Sequence, residues 1–172
     1  MSLKEKLDKL QDPARTILEQ EELQKKLKQQ TEKRELNDRI ARNKDEYNRQ
    51  KKIIDQTIAK TKLMNILHEV VILTKGKLEQ NNWSYINFED DQIVTAHKYL
   101  FIKWHGLLKE DSYKDYGFRI NVHQDNIVLE ASVQETITAP EIFDQTILES
   151  AIARAINTPG DYTPSLQPYT GR

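Results

Sequence analysis

Glycine is absent from the first 75 residues and Pro13 is the only proline among them, while Gly76, Gly106, Gly117, Gly160, Gly171 and four further prolines follow. From Pro13 to about Thr74 the chain consists mainly of Gln, Lys, Glu, Arg and Leu, all good helix formers, and nothing forces a break. A continuous helix of about 62 residues is about 93 Å long at about 1.5 Å per residue. A helix that long cannot cover its own apolar stripe and needs a partner. The Asp12-Pro13 step reads as its start, with Asp12 capping and Pro13 at the first helical position.

Stepping by seven from Ile40 reaches Tyr47, Ile54, Thr61 and His68; the companion series is Leu36, Asn43, Gln50, Thr57, Met64 and Val71. Leu36, Ile40, Asn43, Tyr47 and Ile54 are thus the expected seam of a coiled coil with another copy of the chain, as a homodimer or higher oligomer. Asn43 would set register at a cost in stability. Leu18, Leu23 and Leu27 do not continue this register, which predicts a stutter between residues 27 and 36. The competing reading is a lone charged helix or a partly disordered arm. Between Ile53 and Leu73 the apolar face widens beyond a two-stranded seam, so the rod is expected to enter a globular domain there.

The second half alternates with period two, the signature of strands. In 116–123 the apolar set is Tyr116, Phe118, Ile120 and Val122; in 126–135 it is Ile127, Leu129, Ala131 and Val133. A two-residue turn at Asp125-Asn126 predicts a hairpin pairing Val122 with Leu129, Ile120 with Ala131 and Phe118 with Val133. Residues 82–88 and 92–105 suggest an earlier hairpin turning at Glu89-Asp90-Asp91, its longer strand apolar on both parities and therefore central. Residues 106–115 read as a loop. Thr138-Ala139-Pro140-Glu141 resembles a capping box opening a helix whose stripe is Phe143, Ile147, Leu148, Ala151, Ile152 and Ala155. The expected fold class is α+β, a long N-terminal coiled-coil helix followed by a small antiparallel four-stranded meander flanked by helices (αββββα). Its divisions are a rod at 1–52, a globular domain at 53–156 and a flexible tail at 157–172.

Of the 172 residues 37% are hydrophobic and 31% charged, against about 45–50% and about 25% in an average soluble domain. Residues 1–60 carry 16 Lys/Arg and 12 Asp/Glu, net +4; residues 61–172 carry 10 and 15, net −5. The absence of cysteine excludes disulfides and thiolate chemistry. No apolar run approaches the roughly 18–20 residues that span a bilayer, and the first ten residues lack a signal-peptide core, so the expected location is cytoplasmic with no membrane partner.

His68-Glu69 is followed at the needed position by Ile72 rather than a second histidine, so it is not a two-histidine zinc site. His97 and His105 lie eight residues apart, about 26 Å along a strand, and cannot share a metal. With His123 they read as solvent-facing strand histidines. The acidic groups at 89–91, at Glu110-Asp111 and at Asp115 fall in expected turns, where Asp is favoured for local reasons. A nuclease site would want an acid-x-Lys pair after a strand acid, but Ala131-Ser132 follows Glu130. Neither a Gly-rich phosphate loop nor a nucleophile elbow is present. No catalytic residue, metal or cofactor is therefore expected.

Two features remain. The stretch Lys25–Lys52 has eleven Lys/Arg with acids interleaved; Arg34, Arg39, Arg42, Arg49, Lys51 and Lys52 could meet phosphates along a rod. Coiled-coil surfaces carry the same mixture for solubility. Trp83, Tyr85, Tyr99, Phe101 and Trp104 sit on both strand parities, so some exceed what one core requires and could form a partner-binding face. The leading expectation is a non-enzymatic dimeric scaffold or adaptor with a protein-binding α+β domain. The alternatives are a nucleic-acid-associated dimer using the basic rod, and an enzyme whose site follows no recognisable motif.

Overall fold

The computed structural model describes residues 2–81, 83, 86–106 and 113–164. Helix α1 spans Leu3–Lys60, 58 residues, with Pro13 inside it. It therefore starts well before the Asp12-Pro13 step. The reason is a capping box earlier in the chain: the Ser2 N–H donates to Glu5 Oε2 at 2.8 Å and the Glu5 N–H to Ser2 Oγ at 3.3 Å.

The expected run to Thr74 is broken at Thr61-Lys62, and α2 occupies Leu63–Thr74. Lys62 takes a left-handed conformation, φ 53°. Just before it, the hydroxyls of Thr57 and Thr61 donate back to the carbonyls of Ile53 and Thr57 at 2.9 and 2.8 Å, contacts that bend helices. Leu63, immediately after the break, is fully buried. Packing sets this bend, since neither glycine nor proline lies near it. Lys75, also left-handed, ends α2. Gly76 then brings the chain against the sheet: a Cβ there would lie 2.6 Å from the Lys103 carbonyl oxygen.

The sheet is antiparallel, with β1 (Lys77–Asn81), β2 (Lys98–His105), β3 (Asp115–Val122), β4 (Asn126–Glu130) and β5 (Gln134–Thr138) side by side in chain order. A short β6 (Gly160–Asp161) pairs with β3. Among the described residues, five strands and a sixth short one thus replace the expected four. The first is the charged segment Lys77–Asn81 rather than 82–88, whose described positions are not in a strand. The expected strand 126–135 folds at Ala131–Val133 into β4 and β5, leaving Val133 exposed.

The β3–β4 hairpin keeps its expected faces with a different register. Val122 opposes Ile127 and Ile120 opposes Leu129, and the His123 N–H donates to the Asn126 carbonyl at 2.9 Å. The turn residues are Gln124 and Asp125, neither with positive φ. Asn126 is drawn into the β4–β5 ladder opposite Thr138, and the Asp125 carbonyl accepts from the Ala139 N–H at 2.8 Å.

Leu100, Ile102, Trp104, Phe118, Ile120, Val122, Ile127, Leu129 and Ile137 form one buried cluster with Ile54 and Ile58 of α1, Leu63, Ile66, Leu67 and Val70 of α2, and the closing helix. Burying each Ile or Leu contributes about 1.5–3 kcal/mol. Closing helix α3 (Gln145–Asn157) does not start at the Thr138 box. A 3-10 turn at Glu141–Phe143 precedes it, and Asp144 caps it by accepting from the N–H groups of Thr146 and Ile147 at 2.9 and 3.3 Å. Phe143 is therefore exposed instead of lying on the buried stripe.

The expected tail is docked at its start. Gly160 pairs with Gly117 and Asp161 with Tyr116, and the Tyr162 N–H donates to the Asp115 carbonyl at 2.8 Å. Residues 165–172 lie outside the described residues. Two compact units result, one of residues 1–45 with 87–92 and one of 46–86 with 93–172. Among the described residues, no helix is long and apolar enough to cross a membrane.

Candidate partner-binding face

Strand alternation separates the aromatic residues singled out from sequence. On β2, Leu100, Ile102 and Trp104 face the core, where the Trp104 ring meets Phe118 edge-on at 6.3 Å between centroids. Tyr99 and Phe101 occupy the other parity and the other face. Trp83 lies elsewhere, with its ring 6.5 Å from Tyr47, the Lys51 ammonium 4.8 Å above it and Lys98 at 5.9 Å. Tyr85 lies outside the described residues. Of the four that are described, Tyr99 and Phe101 share a surface on the sheet.

Two residues that sequence reasoning missed complete that surface. Arg119 on β3 stands opposite Phe101, and Tyr162 follows β6. The Arg119 guanidinium lies 5.0 Å from the Tyr162 ring centroid, 5.5 Å from Phe101 and 5.9 Å from Tyr99. Phe101 and Tyr162 meet edge-on at 4.8 Å. Gly117 makes room beneath them, since a Cβ there would come 3.1 Å from the Phe101 ring and 2.3 Å from the Ile102 carbonyl oxygen. All four side chains remain partly exposed. Burial pushes the phenols of Tyr99 and Tyr162 above their ordinary value while Arg119 pulls them down, so both stay protonated at neutral pH. Asn121, on the same face, donates its Nδ2–H to Glu130 Oε1 at 3.2 Å. Arg119 Nε and Asn121 Oδ1 are buried without a hydrogen-bond partner.

Two further clusters flank this face. Asp115 is almost buried and sits between His105 Nδ1 and Lys103 Nζ, the latter at 3.6 Å. With Lys75, Gly76, Lys77, Glu79 and Trp104 these residues line a cleft of about 260 Å³. At the opposite end of the strands, the rings of His97 and His123 lie 5.2 Å apart. They are the next pair beyond Lys98 and Val122 in the β2–β3 register, which brings the two partly exposed rings together. Burial and the neighbouring His97 lower the His123 pKa, with Asp125 opposing. Among the described residues, no three His, Cys, Asp or Glu side chains are grouped to hold a metal ion.

On α1, Leu36 and Ile40 are half-buried, and Asn43 donates through Nδ2 to the Phe88 and Asp90 carbonyls at 2.7 and 3.1 Å. Tyr47 rests against Trp83, and Ile54 is fully buried in the core. Asn43, Tyr47 and Ile54 of the expected seam therefore meet their own chain. Of the six basic residues proposed for phosphate contact, Arg39 pairs with Asp91 at 2.9 Å and donates to the Glu89 carbonyl at 3.1 Å. Arg49 is held by Glu46 at 2.6 Å, and Lys51 lies over the Tyr47 and Trp83 rings. Arg34, Arg42 and Lys52 are exposed.

Earlier on α1, Leu3, Leu7, Ile17 and Leu18 are 50–76% exposed. At about 100° per residue these four fall within one arc of about 100°. Leu23 and Leu27, also more than half exposed, lie on the opposite side. No protein-family model, curated protein or solved structure matches this chain.

Proposed function

We propose that the chain is a non-enzymatic scaffold that pairs with a second copy through the N-terminal part of α1 and docks another protein on the outer face of its sheet. The observation that carries the reading is the stripe of Leu3, Leu7, Ile17 and Leu18, each at least half exposed on a helix of good helix formers. An isolated helix face of this kind gains about 1.5–3 kcal/mol for each such side chain it buries. The outer face of the sheet supports the second half, because Tyr99, Phe101 and Tyr162 there are aromatic surface beyond what the core uses.

Light scattering at micromolar concentration tests the pairing. The expected mass is twice the chain's 20.2 kDa, falling to one chain in a Leu7→Glu, Ile17→Glu double variant whose circular dichroism stays helical. A wild-type chain that remains a monomer across that range defeats the reading.

A further inference from the structure

Arg119 and Glu130 are directly opposed on β3 and β4, the arrangement in which opposite charges stabilise a sheet as a cross-strand pair. Here Asn121 takes Glu130 through its amide at 3.2 Å, and Arg119 forms no ion pair among the described residues. Its guanidinium is framed by Tyr99, Phe101 and Tyr162 instead. A ring attracts a cation through its π electrons but does not accept the in-plane hydrogen bonds a guanidinium fork is built to donate. Arg119 Nε is buried with no acceptor, while the residue as a whole stays partly exposed, so a partner reaches the outer end of the fork rather than Nε.

We infer that Arg119 and its three rings form a carboxylate-binding subsite, and that its occupant is an Asp or Glu side chain in an acidic peptide segment of the docked protein. The inference rests on the outer face being a docking surface, as proposed above. Charge selects the anion: a planar carboxylate matches the guanidinium fork with two parallel hydrogen bonds. Glu130 beside the site disfavours a doubly charged anion and leaves a single carboxylate as the better match. The partly exposed rings of Phe101 and Tyr162 offer apolar area to the residues flanking that carboxylate.

The test follows the Arg119 Nε–H signal of the full ¹⁵N-labelled chain by nuclear magnetic resonance during titration with acetyl-Leu-Glu-Leu-amide, its Gln counterpart and sodium acetate. The Glu peptide should move the signal saturably and bind about tenfold more tightly than the Gln peptide, the worth of a charge-assisted hydrogen bond. Arg119→Lys should abolish that preference while the β3 amide signals keep their dispersion, because an ammonium lacks the fork. Glu130→Gln should tighten the Glu peptide about threefold by removing a like charge; an unchanged or weaker affinity counts against the subsite. Equal binding of the Gln peptide, or silence at Arg119 with shifts at Phe101 and Tyr162, overturns the subsite and leaves the docking face standing. Acetate binding as tightly as the peptide overturns the peptide occupant. Silence at all of these positions removes the subsite and the docking face together.

Discussion

Gln50 supplies both hydrogen-bonding partners that a neighbouring strand would give to the chain around Ala96: its Oε1 accepts from the Ala96 N–H at 2.7 Å, and its Nε2 donates to the Val94 carbonyl at 2.8 Å. The side chain is buried, and so are both of these hydrogen bonds. Glu46 Oε1 accepts a further bond from Nε2 at 2.8 Å.

Gln50→Ala therefore strips two buried backbone groups of their partners. The expected loss is on the order of 2–4 kcal/mol in urea unfolding, set by the cost of leaving each group unpaired. Gln50→Glu keeps the acceptor for Ala96 but places a carboxylate against the Val94 carbonyl, and should also destabilise at neutral pH. A Gln50→Ala midpoint equal to wild type would show that residues 94–96 do not depend on this side chain.

Leu129 and Glu130 separate the two faces of the hairpin. Leu129 is 1% exposed in the core, so Leu129→Ala should cost on the order of 2–5 kcal/mol. Glu130 is held by one amide at 3.2 Å on the outer face, and Glu130→Ala should cost less than about 1 kcal/mol. Equal urea midpoints for the two variants, or a larger loss at Glu130, contradict the observed faces.

That hairpin also shows which parts of the fold are legible in sequence. Period two reports which face a residue occupies. Moving a two-residue turn by one position shifts the pairing by two and leaves every face unchanged, so alternation cannot tell Val122 opposite Leu129 from Val122 opposite Ile127. Strand β1, Lys-Leu-Glu-Gln-Asn, has a composition suited to an edge strand and too little alternation to be seen. The bend at Thr61-Lys62 arises from packing and from back-bonded threonines rather than from a helix breaker.

The outer-face cluster was hidden for a related reason. Arg119 sits where alternation predicts a polar residue, but two of its rings come from β2, and Tyr162 arrives through a segment whose prolines and glycine look like a tail. Pairing His97 with His123 likewise requires the β2–β3 register, which neither segment reveals alone.

Fragments beginning at different points of α1 test where the sheet-bearing unit starts. Residues 46–172 retain Tyr47 against Trp83 and the Gln50 bonds, and should unfold cooperatively. Residues 53–172 lose both, and should be less stable by about 2 kcal/mol or more. Equal urea midpoints would place the boundary nearer residue 53 than Glu46.

The His97–His123 pair gives stability a pH dependence whose sign follows from burial. His123 in the folded chain has a pKa below its ordinary 6.5, chiefly because burial disfavours the imidazolium and secondarily because His97 lies beside it. The unfolded chain then binds a proton more readily than the folded one, so stability rises with pH across that window. Stability should be level above about pH 7 and decline as pH falls through 6.5 toward the lower folded value. Glu46, whose carboxyl is held down at about 2 by Arg49 and Gln50, moves stability in the same direction but only below its ordinary 4.5, so the two windows are separable. His123→Gln should flatten the slope between pH 5 and 7, and His97→Gln should reduce it in part. Urea midpoints measured at half-unit intervals across that range decide the matter: a wild-type slope that persists unchanged in His123→Gln would assign the proton to another group.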